Sequence, residues 1–182
     1  MNYYETNEEI YFYSLKNNKY ACFSNFYNCE FIDINNIKFK NSEQYYVFYK
    51  CFIFDKENDK LLNAILNENM GKNIKKLGKD IKNFDEKVWN EHCYNVMKNG
   101  LIYKFSQNEK LKKKLLNTKN KIIYESSFFD KKWGIGFSVE NAKNTNKELF
   151  GENLLGKCLM EVRELLNDKK YSCNLINISK EK

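Results

Sequence analysis

The sequence has no proline, a single histidine and a single arginine among its 182 residues. With only His92, and no Cys-x-x-Cys pair among six cysteines, the spacing needed for a zinc cage or a c-type haem site is absent. We expect the cysteines to be reduced and mostly buried thiols. The sequence therefore indicates neither a metal site nor a cofactor.

Long hydrophobic runs are also absent. No stretch approaches the roughly 18 consecutive apolar residues that span a membrane. The N-terminal MNYYETNEEI is acidic and lacks the basic-then-apolar order of a signal peptide. We therefore expect a soluble protein in the cytoplasm, with no membrane partner.

The scarcity of arginine affects how the net charge of +7 is interpreted. All basic residues except Arg163 are lysines, and asparagine is abundant while proline is absent. This pattern is typical of codon bias toward A and T. A surface dedicated to nucleic acid usually uses arginine for bidentate contacts to phosphates and bases. The charge alone therefore favours a compositional bias over a phosphate-bearing partner.

The sequence does have enough apolar residues, 42% of the chain, to bury the core of one domain. Residues 10–14 are rich in β-forming side chains. Residues 29–40 alternate between apolar and polar on either side of Asn35 and Asn36, a pair that tolerates the positive φ of a tight turn. We predict a β-hairpin at this point.

Helical patterns follow the hairpin. Asn41 as the N-cap and Gln44 as its capping-box partner predict a helix that runs to about Phe54 and is largely buried, because it is dense in aromatic residues. Further helices are predicted at 59–67, within 71–78, and from about residue 88 with a break near Gly100. Asn108 is predicted to cap another helix.

Residues 119–146 differ from the rest. A strand-like KIIYE precedes SSFFDKKWGIGF and a polar insert, which predicts a loop-rich segment that could carry a site. A strong amphipathic helix is predicted at 152–166. The predicted fold class is mainly α with small β elements (α+β), with one domain at 1–168 and a polar tail at 169–182.

The aromatic helix carries Glu43 and Lys50, which share one face and lie roughly 10 Å apart along the helix axis. Tyr46 lies between them. A carboxylate and an amine on the inward side of an apolar helix are costly to bury, so they are either structural partners of other elements or a working site. Taken alone, the pair favours the structural alternative, because a glutamate near a helix start complements the helix dipole and a lysine usually extends to solvent.

The segment FFDKKWGIGF places Asp130, Trp133, Gly134 and Gly136 within seven residues. Glycines beside a tryptophan let the backbone approach a flat ligand, and the aspartate could bind sugar hydroxyls or act as an acid or base. The alternative is a tight turn whose tryptophan fills the core and whose aspartate caps it. The spacing alone does not separate these interpretations.

Two other aromatic residues of interest lie in the following helical pattern. Trp89 could either pack in the core or stack on a base from a pocket wall. His92 has no second ligand at metal spacing, so a core or surface role is favoured. The dinucleotide-binding, P-loop and hydrolase nucleophile-elbow motifs do not occur.

Eight short motifs, in order and in spacing, resemble the NADAR (YbiA-like) family over nearly the whole chain. They are FSNFYN (23–28), KFKNSEQYYVFYK (38–50), LGKD (77–80), the helical segment 89–97, KF (104–105), LLNT (115–118), ESSFFDKKWGIG (125–136) and GENLLGKCLMEVR (151–163). Each motif alone is weak, but the ordered set is specific. The first few residues, the insert near 141–150 and the C-terminal tail fall outside the resemblance.

The resemblance implies a mainly α fold with small β pieces and an N-glycosidase that acts on ribose phosphates. The implied substrates are ribosylaminopyrimidine phosphates of riboflavin biosynthesis or ADP-ribose attached to guanine, including guanine within nucleic acid. The implied catalytic residues are Glu43, Lys50 and Asp130. The implied substrate-binding residues are Asn25, Phe26, Tyr46, Lys79, Trp89, Trp133, Gly134, Gly136 and Asn153.

Three positions depart from the family pattern. Gln44 stands where the family usually has histidine, Lys79 where it has arginine in an LGR motif, and Asn28 where it has proline. If the family's arginine makes bidentate hydrogen bonds to a phosphate, Lys79 can replace it only with a point charge.

Breaking a C–N glycosidic bond builds positive charge on ribose and negative charge on the departing base. We hypothesise that Lys50, with a pKa lowered by its apolar surroundings, attacks C1 and forms a transient imine. In a competing mechanism Lys50 anchors phosphate while Glu43 or Asp130 activates water. A non-catalytic module that binds ADP-ribose or NAD, and a purely structural domain, are the other functional classes. The sequence does not fix the oligomeric state.

Overall fold

A computed structural model describes residues 1–168 of the chain, so the predicted tail at 169–182 lies outside the described residues. The strands are β1 (Tyr3–Glu5), β2 (Glu9–Phe12), β3 (Phe31–Ile32), β4 (Lys38–Phe39) and β5 (Ile122–Glu125). The α-helices are α1 (Ser42–Phe54), α2 (Asp59–Asn67), α3 (Gly71–Leu77), α4 (Glu86–Gln107), α5 (Glu109–Leu116), α6 (Val139–Ala142) and α7 (Leu154–Asn167). Short 3₁₀ turns occur at Ala21–Phe23 and Lys147–Leu149.

The predicted fold class, mainly α with small β elements, is confirmed. By its internal contacts the chain divides into two units. Unit 1 comprises Met1–Ser24 and the chain from Phe105 onward, and unit 2 comprises Asn25–Lys104. The predicted domain bounds of 1–168 remain a prediction.

Unit 1 is built on a three-stranded sheet. Its central strand, β2, pairs antiparallel with β1 and parallel with β5, with Glu9 opposite Ile122. Ile10, Tyr11 and Phe12 of β2 are all buried, which is typical of a strand covered on both faces. Helix α7 packs on β5, and α5 packs on α7.

The single arginine of the chain stabilises unit 1. Arg163 of α7 is buried, and its Nη1 donates to Thr118 Oγ1 at 2.9 Å and to the Lys121 carbonyl at 2.7 Å. Burial lowers the pKa of this guanidinium. Because its donors are bound within the fold, Arg163 holds the segment before β5 in place.

Unit 2 contains the predicted hairpin and three packed helices. Strands β3 and β4 pair antiparallel, and Asn36 adopts the left-handed conformation (φ 61°) expected of the turn. The core consists mainly of aromatic and branched residues from the hairpin and from α1, α2 and α3, which pack on one another. The aromatic helix is therefore largely buried, as predicted.

The start of α1 follows the predicted cap with one difference. The Asn41 side chain accepts from the Gln44 N–H at 2.9 Å, and Asn28 orients Asn41 by accepting from its Nδ2 at 3.0 Å. A capping box would have Gln44 accept from the Asn41 N–H, but its Oε1 accepts from the Lys40 N–H at 2.7 Å. The Gln44 amide Nε2 meanwhile donates to the carbonyls of Ile65, Leu66 and Glu68 at the end of α2.

Two details of the predicted helices are wrong. Helix α4 is continuous through Gly100, which marks close packing rather than a break: a Cβ there would lie 2.7 Å from the Tyr45 ring. Asn108 stands at the N-cap of α5, but its side chain makes no capping hydrogen bond. The segment predicted to be a polar insert also contains a short helix, α6, capped by Ser138.

Several expectations concern the chain as a whole. Cys22, Cys51, Cys93 and Cys158 are buried and Cys29 is half-buried, and these five cysteines form no disulfides, while Cys173 lies outside the described residues. Within residues 1–168 no helix combines the length and apolar composition needed to cross a membrane. The same residues contain no cluster of three or more metal-binding side chains.

Candidate active site

The predicted site residues form two groups, one in each unit. Asn25, Phe26, Glu43, Tyr46, Lys50, Lys79 and Trp89 belong to unit 2. Asp130, Trp133, Gly134, Gly136 and Asn153 belong to unit 1.

Glu43 lies in the first turn of α1 and is only 7% exposed. Its backbone N–H donates to the Asn25 carbonyl at 3.1 Å, which ties the start of the helix to the FSNFYN segment. A carboxylate in the first turn is stabilised by the positive end of the helix dipole, which offsets part of the cost of burial. The fold therefore holds an acidic side chain in a fixed and largely dry position.

Two buried oxygen atoms next to Glu43 have no hydrogen-bond partner. They are Asn25 Oδ1 and Ser42 Oγ. Leaving a buried polar atom without a hydrogen bond costs about 1–3 kcal/mol of stability, so such atoms are rare. Where they occur, they often mark a functional site. Their position at the start of α1 favours a functional role for this region.

Lys50 lies two turns further along α1 and is half-buried. Its Nζ is 3.9 Å from the centroid of the Phe84 ring and 3.5 Å from the Gly78 carbonyl oxygen. Within residues 1–168 no carboxylate forms an ion pair with it. Burial lowers the pKa of Lys50, because the amine loses water without gaining a counter-charge.

A chain of aromatic contacts connects the remaining residues of this face. Tyr46 packs on Trp89 at 5.0 Å between ring centroids, Trp89 contacts Phe54 at 6.3 Å, and Phe54 contacts Phe84 at 5.3 Å. Trp89 is itself buried, so in this structure it acts as packing behind Tyr46. The rings thus support the position of the Lys50 amine through Phe84.

Phe26 and Lys79 have different environments. The Phe26 ring packs directly on Gly71, where a Cβ would lie 2.6 Å from ring Cδ1. Lys79 is exposed just after α3, and its amine is free of ion pairs within the described chain. A flexible, hydrated amine at this point suits a point-charge contact to phosphate rather than a fixed two-pronged clamp.

In unit 1, Asp130 organises the loop of residues 126–136, which we name the Asp130 loop. The Asp130 Oδ1 accepts from the backbone N–H groups of Trp133 at 2.7 Å and Lys132 at 3.0 Å. The Asp130 carbonyl accepts from the Gly136 N–H at 3.0 Å. The carboxylate is therefore held by its own loop, as the turn interpretation of the sequence expected. Trp133 is half-buried.

The two glycines and Asn153 have structural reasons for their identity. Gly136 adopts φ 74°, and a Cβ on Gly134 would lie 2.8 Å from the Glu125 carbonyl. Asn153 is buried in the left-handed conformation, with Nδ2 donating to the Ile123 carbonyl at 2.8 Å and Oδ1 accepting from the Glu125 N–H at 3.0 Å. Both ends of its amide brace β5, and its substrate-binding role remains a prediction.

Sequence reasoning assigned no role in the site to three residues that shape the unit 2 group. Gln44 clamps α2, Phe84 covers the Lys50 amine, and Lys104 is fully buried with its Nζ 5.8 Å from the Tyr27 ring. Lys104 follows Met97 and Leu101 on the buried face of α4, so helical periodicity could have identified it. Phe84 lies in a loop with no pattern that would single it out.

The chemistry available to the unit 2 group is nucleophilic and acid–base. An amine with a lowered pKa has a larger neutral fraction and can attack an electrophilic carbon. A fixed carboxylate on the same helix can orient hydroxyl groups or transfer protons.

Comparison with known proteins gives the family. The model of the NADAR domain matches residues 11–167. The chain belongs to the NADAR family. This confirms the resemblance seen in the sequence.

Two relatives and one solved structure extend the comparison. This NADAR chain is 34% identical over 168 residues to N-glycosidase R617 of Acanthamoeba polyphaga mimivirus, covering 88% of the chain and 97% of the relative. It is 32% identical over 149 residues to protein irg-1 of Caenorhabditis elegans, covering 80% of the chain and 69% of the relative. The NMR structure of the Escherichia coli protein YbiA matches with a TM-score of 0.71 and 28% identity, over 93% of this chain and 91% of that one.

Proposed function

We propose that this NADAR protein is an N-glycosidase that hydrolyses the bond between ribose C1 and a base nitrogen in a ribose-phosphate compound. The observation that carries the proposal is the half-buried Lys50 amine, which has no carboxylate partner among residues 1–168, on the same helix as the buried Glu43. The name of the mimivirus relative, N-glycosidase, supports the same reaction.

Two substrate classes fit this reaction. One is a ribosylaminopyrimidine phosphate of riboflavin biosynthesis, and the other is ADP-ribose joined to guanine, free or within nucleic acid. Both present a ribose C1–N bond next to phosphate. The exposed Lys79 supplies a charge for that phosphate but no rigid fork, which favours contact with a single phosphate oxygen.

In the proposed mechanism the neutral Lys50 amine attacks ribose C1. The bond between C1 and the base nitrogen breaks, and the base leaves with the electron pair and takes up one proton of the amine. The lysine nitrogen then expels the ring oxygen O4, which takes up the second amine proton, so that C1 becomes the carbon of an imine. The opened sugar remains as an imine on Lys50 until water adds at C1 and releases both the sugar and the free amine. Glu43 transfers protons or orients the sugar hydroxyls, and its fixed position lowers the entropic cost of that step.

The competing mechanism gives Lys50 only a phosphate-anchoring role and lets Glu43 or Asp130 activate water directly. Borohydride reduction during turnover separates the two mechanisms. A sugar adduct mapped to Lys50 by peptide mass spectrometry supports the imine. Turnover without any adduct supports direct attack by water.

The proposal is tested by turnover of both substrates with matched variants. Lys50→Met and Glu43→Gln keep side-chain size and should lower kcat by at least about 100-fold, in line with loss of a catalytic acid, base or nucleophile. Lys98→Met and Glu91→Gln are the controls, because Lys98 also lies near a ring, that of Tyr94 at 5.7 Å, and Glu91 is exposed on α4. Neither control should lose activity. If neither substrate is turned over but ADP-ribose still raises the melting temperature, the protein is a binding module and not an enzyme of this class.

Asp130 is tested separately, because its Oδ1 holds two backbone N–H groups. Asp130→Asn keeps one such acceptor, so a loss of turnover with an unchanged melting temperature would support a direct chemical role. A location in the cytoplasm stays a prediction from the sequence.

A further inference from the structure

The Asp130 loop exposes two phenylalanine rings immediately before its aspartate. Phe128 is 54% exposed and Phe129 is 88% exposed, and their rings meet edge to face at 5.0 Å between centroids. Neither ring belongs to the buried core of the described residues. Such exposed aromatic pairs are typical of surfaces that bind something.

The backbone that presents these rings is firmly held. The Ser126 N–H donates to the Phe12 carbonyl at 2.8 Å, and the Ile135 N–H donates to the Glu125 carbonyl at 2.8 Å. The carbonyl of Lys131 accepts from the Glu152 N–H at 2.7 Å. The rings are therefore carried by a braced turn rather than by a loose loop tip, which lowers the entropic cost of binding.

Positive charge accompanies the rings. Lys131 is exposed, and its side-chain stem lies over Gly136, where a Cβ would meet Lys131 Cγ at 2.6 Å. Lys132 follows it in the chain. Flat apolar rings next to lysines match the two parts of a nucleotide strand, unstacked bases and phosphates. An apolar peptide would match the rings but not the charge of the exposed Lys131.

We propose that Phe128 and Phe129 form a stacking surface for unpaired bases of a single-stranded nucleic acid, with Lys131 contacting a neighbouring phosphate. Binding of the strand does not require the proposed glycosidase reaction. Its relevance to substrate choice rests on the proposed function, since it would favour a base carried in a strand over a free nucleotide.

The test is a fluorescence-anisotropy titration of a labelled eight-nucleotide oligothymidine at low and moderate salt, using the full chain. Each lost stack should weaken binding by about tenfold, so the Phe128→Ala/Phe129→Ala double variant, which loses both rings, should bind about 100-fold more weakly than the unmodified chain. Phe129→Tyr keeps the ring and should bind within about twofold of it. Lys131→Gln should weaken binding and reduce the dependence on salt.

Leu149→Ala is the matched control, because Leu149 is a similarly exposed apolar residue (64%) in the same unit. It should leave strand binding unchanged. The proposal is overturned if the double variant binds oligothymidine as tightly as the unmodified chain. It is also overturned if the unmodified chain shows no binding at roughly 50 mM salt, where phosphate contacts are strong. Capture of a protein partner that requires Phe129 but no strand binding would also overturn it.

Failure of this inference and failure of the proposed function are separable. Oligothymidine without a modified base reports binding without turnover. Loss of turnover with intact strand binding would count against the glycosidase alone. Turnover of a ribosylaminopyrimidine phosphate without any strand binding would count against the stacking surface alone.

Discussion

At the scale of single residues, the environment of Lys50 sets its chemistry. Its amine lies over the Phe84 ring and is 3.5 Å from the Gly78 carbonyl oxygen, which is the limit of a hydrogen bond. No carboxylate of the described part of the chain pairs with it. The two side chains that the sequence placed on one face, Glu43 and Lys50, are both partly or largely buried by the fold. What the sequence could not predict is Phe84, because a loop residue gains its role only from tertiary packing.

The lowered pKa of Lys50 has a consequence for stability. Between this lowered value and about 10.5 the unfolded chain binds more protons than the folded chain, so the free energy of unfolding rises with pH through that window. We therefore expect the stability of the unmodified chain, relative to Lys50→Met, to increase as pH rises toward 10. Urea denaturation of both proteins at several pH values measures the difference, and a difference that is constant or falls with pH would contradict the assignment.

Phe84 should tune the same amine. A cation over an aromatic face is stabilised by about 0.5–1 kcal/mol at partly exposed sites, which favours the charged form of Lys50. Phe84→Leu keeps an apolar neighbour but removes the aromatic face, so the pKa of Lys50 should fall by roughly half a unit. The rate of Lys50 acylation as a function of pH, read by peptide mass spectrometry, gives this pKa. Phe52→Leu, on the same helix, is the control, and an equal shift in both variants would rule out a specific contact.

At the scale of elements, the start of α1 could be predicted because its N-cap, Asn41, lies in the sequence and bonds as a cap does. Asn58 caps α2 in the same way, although the sequence analysis predicted that helix without naming a cap. The continuity of α4 could not be predicted. A glycine in a helical pattern indicates either a break or a close contact, and only the position of Tyr45 decides between them. Gln44 shows the same limit, because its role depends on where α2 ends.

Gly100 provides a test of this close contact. Alanine is a better helix former by about 1 kcal/mol, yet its Cβ would lie 2.7 Å from Tyr45 Cδ1. We expect Gly100→Ala to destabilise the protein by about 1–3 kcal/mol, because the ring must move within a packed core. The neighbouring exposed residue provides the comparison: Asn99→Ala should be neutral or slightly stabilising. A stabilised Gly100→Ala in urea denaturation would show that the glycine is not needed for packing.

At the scale of the whole molecule, the helical class could be predicted from periodicity. The parallel pairing of β2 with β5 could not, because Glu9 and Ile122 are joined by the whole of unit 2 in the chain and no local pattern reports such a pair. The resemblance, by contrast, located the family correctly from eight short motifs. It could not show which motif residues have side chains that bind the backbone of their own unit, as those of Asn153 and Asp130 do.

The ion pairs of Glu5 in unit 1 predict how the stability of the protein changes in acid. Burial acts to raise the pKa of Glu5, but hydrogen bonds from Lys121 and Lys19, both at 2.6 Å, lower it to about 2. Stability from this group is present above the unfolded pKa of about 4.5 and is lost as pH falls toward 2. Glu5→Gln should therefore cost about 1 kcal/mol at pH 7 and nothing near pH 2. Thermal unfolding across this range measures it, and a cost that does not change with pH would exclude the ionic origin.

The most direct measurement is identification of the products formed from each candidate substrate by mass spectrometry. The account predicts a free base together with the intact ribose-phosphate part, which places the cleavage at the C1–N bond. It also predicts that Lys50→Met and Glu43→Gln lower the rate of formation of both products by at least about 100-fold. Cleavage at a phosphate ester or pyrophosphate instead, or product formation by the two variants at the rate of the unmodified chain, would contradict the proposed N-glycosidase.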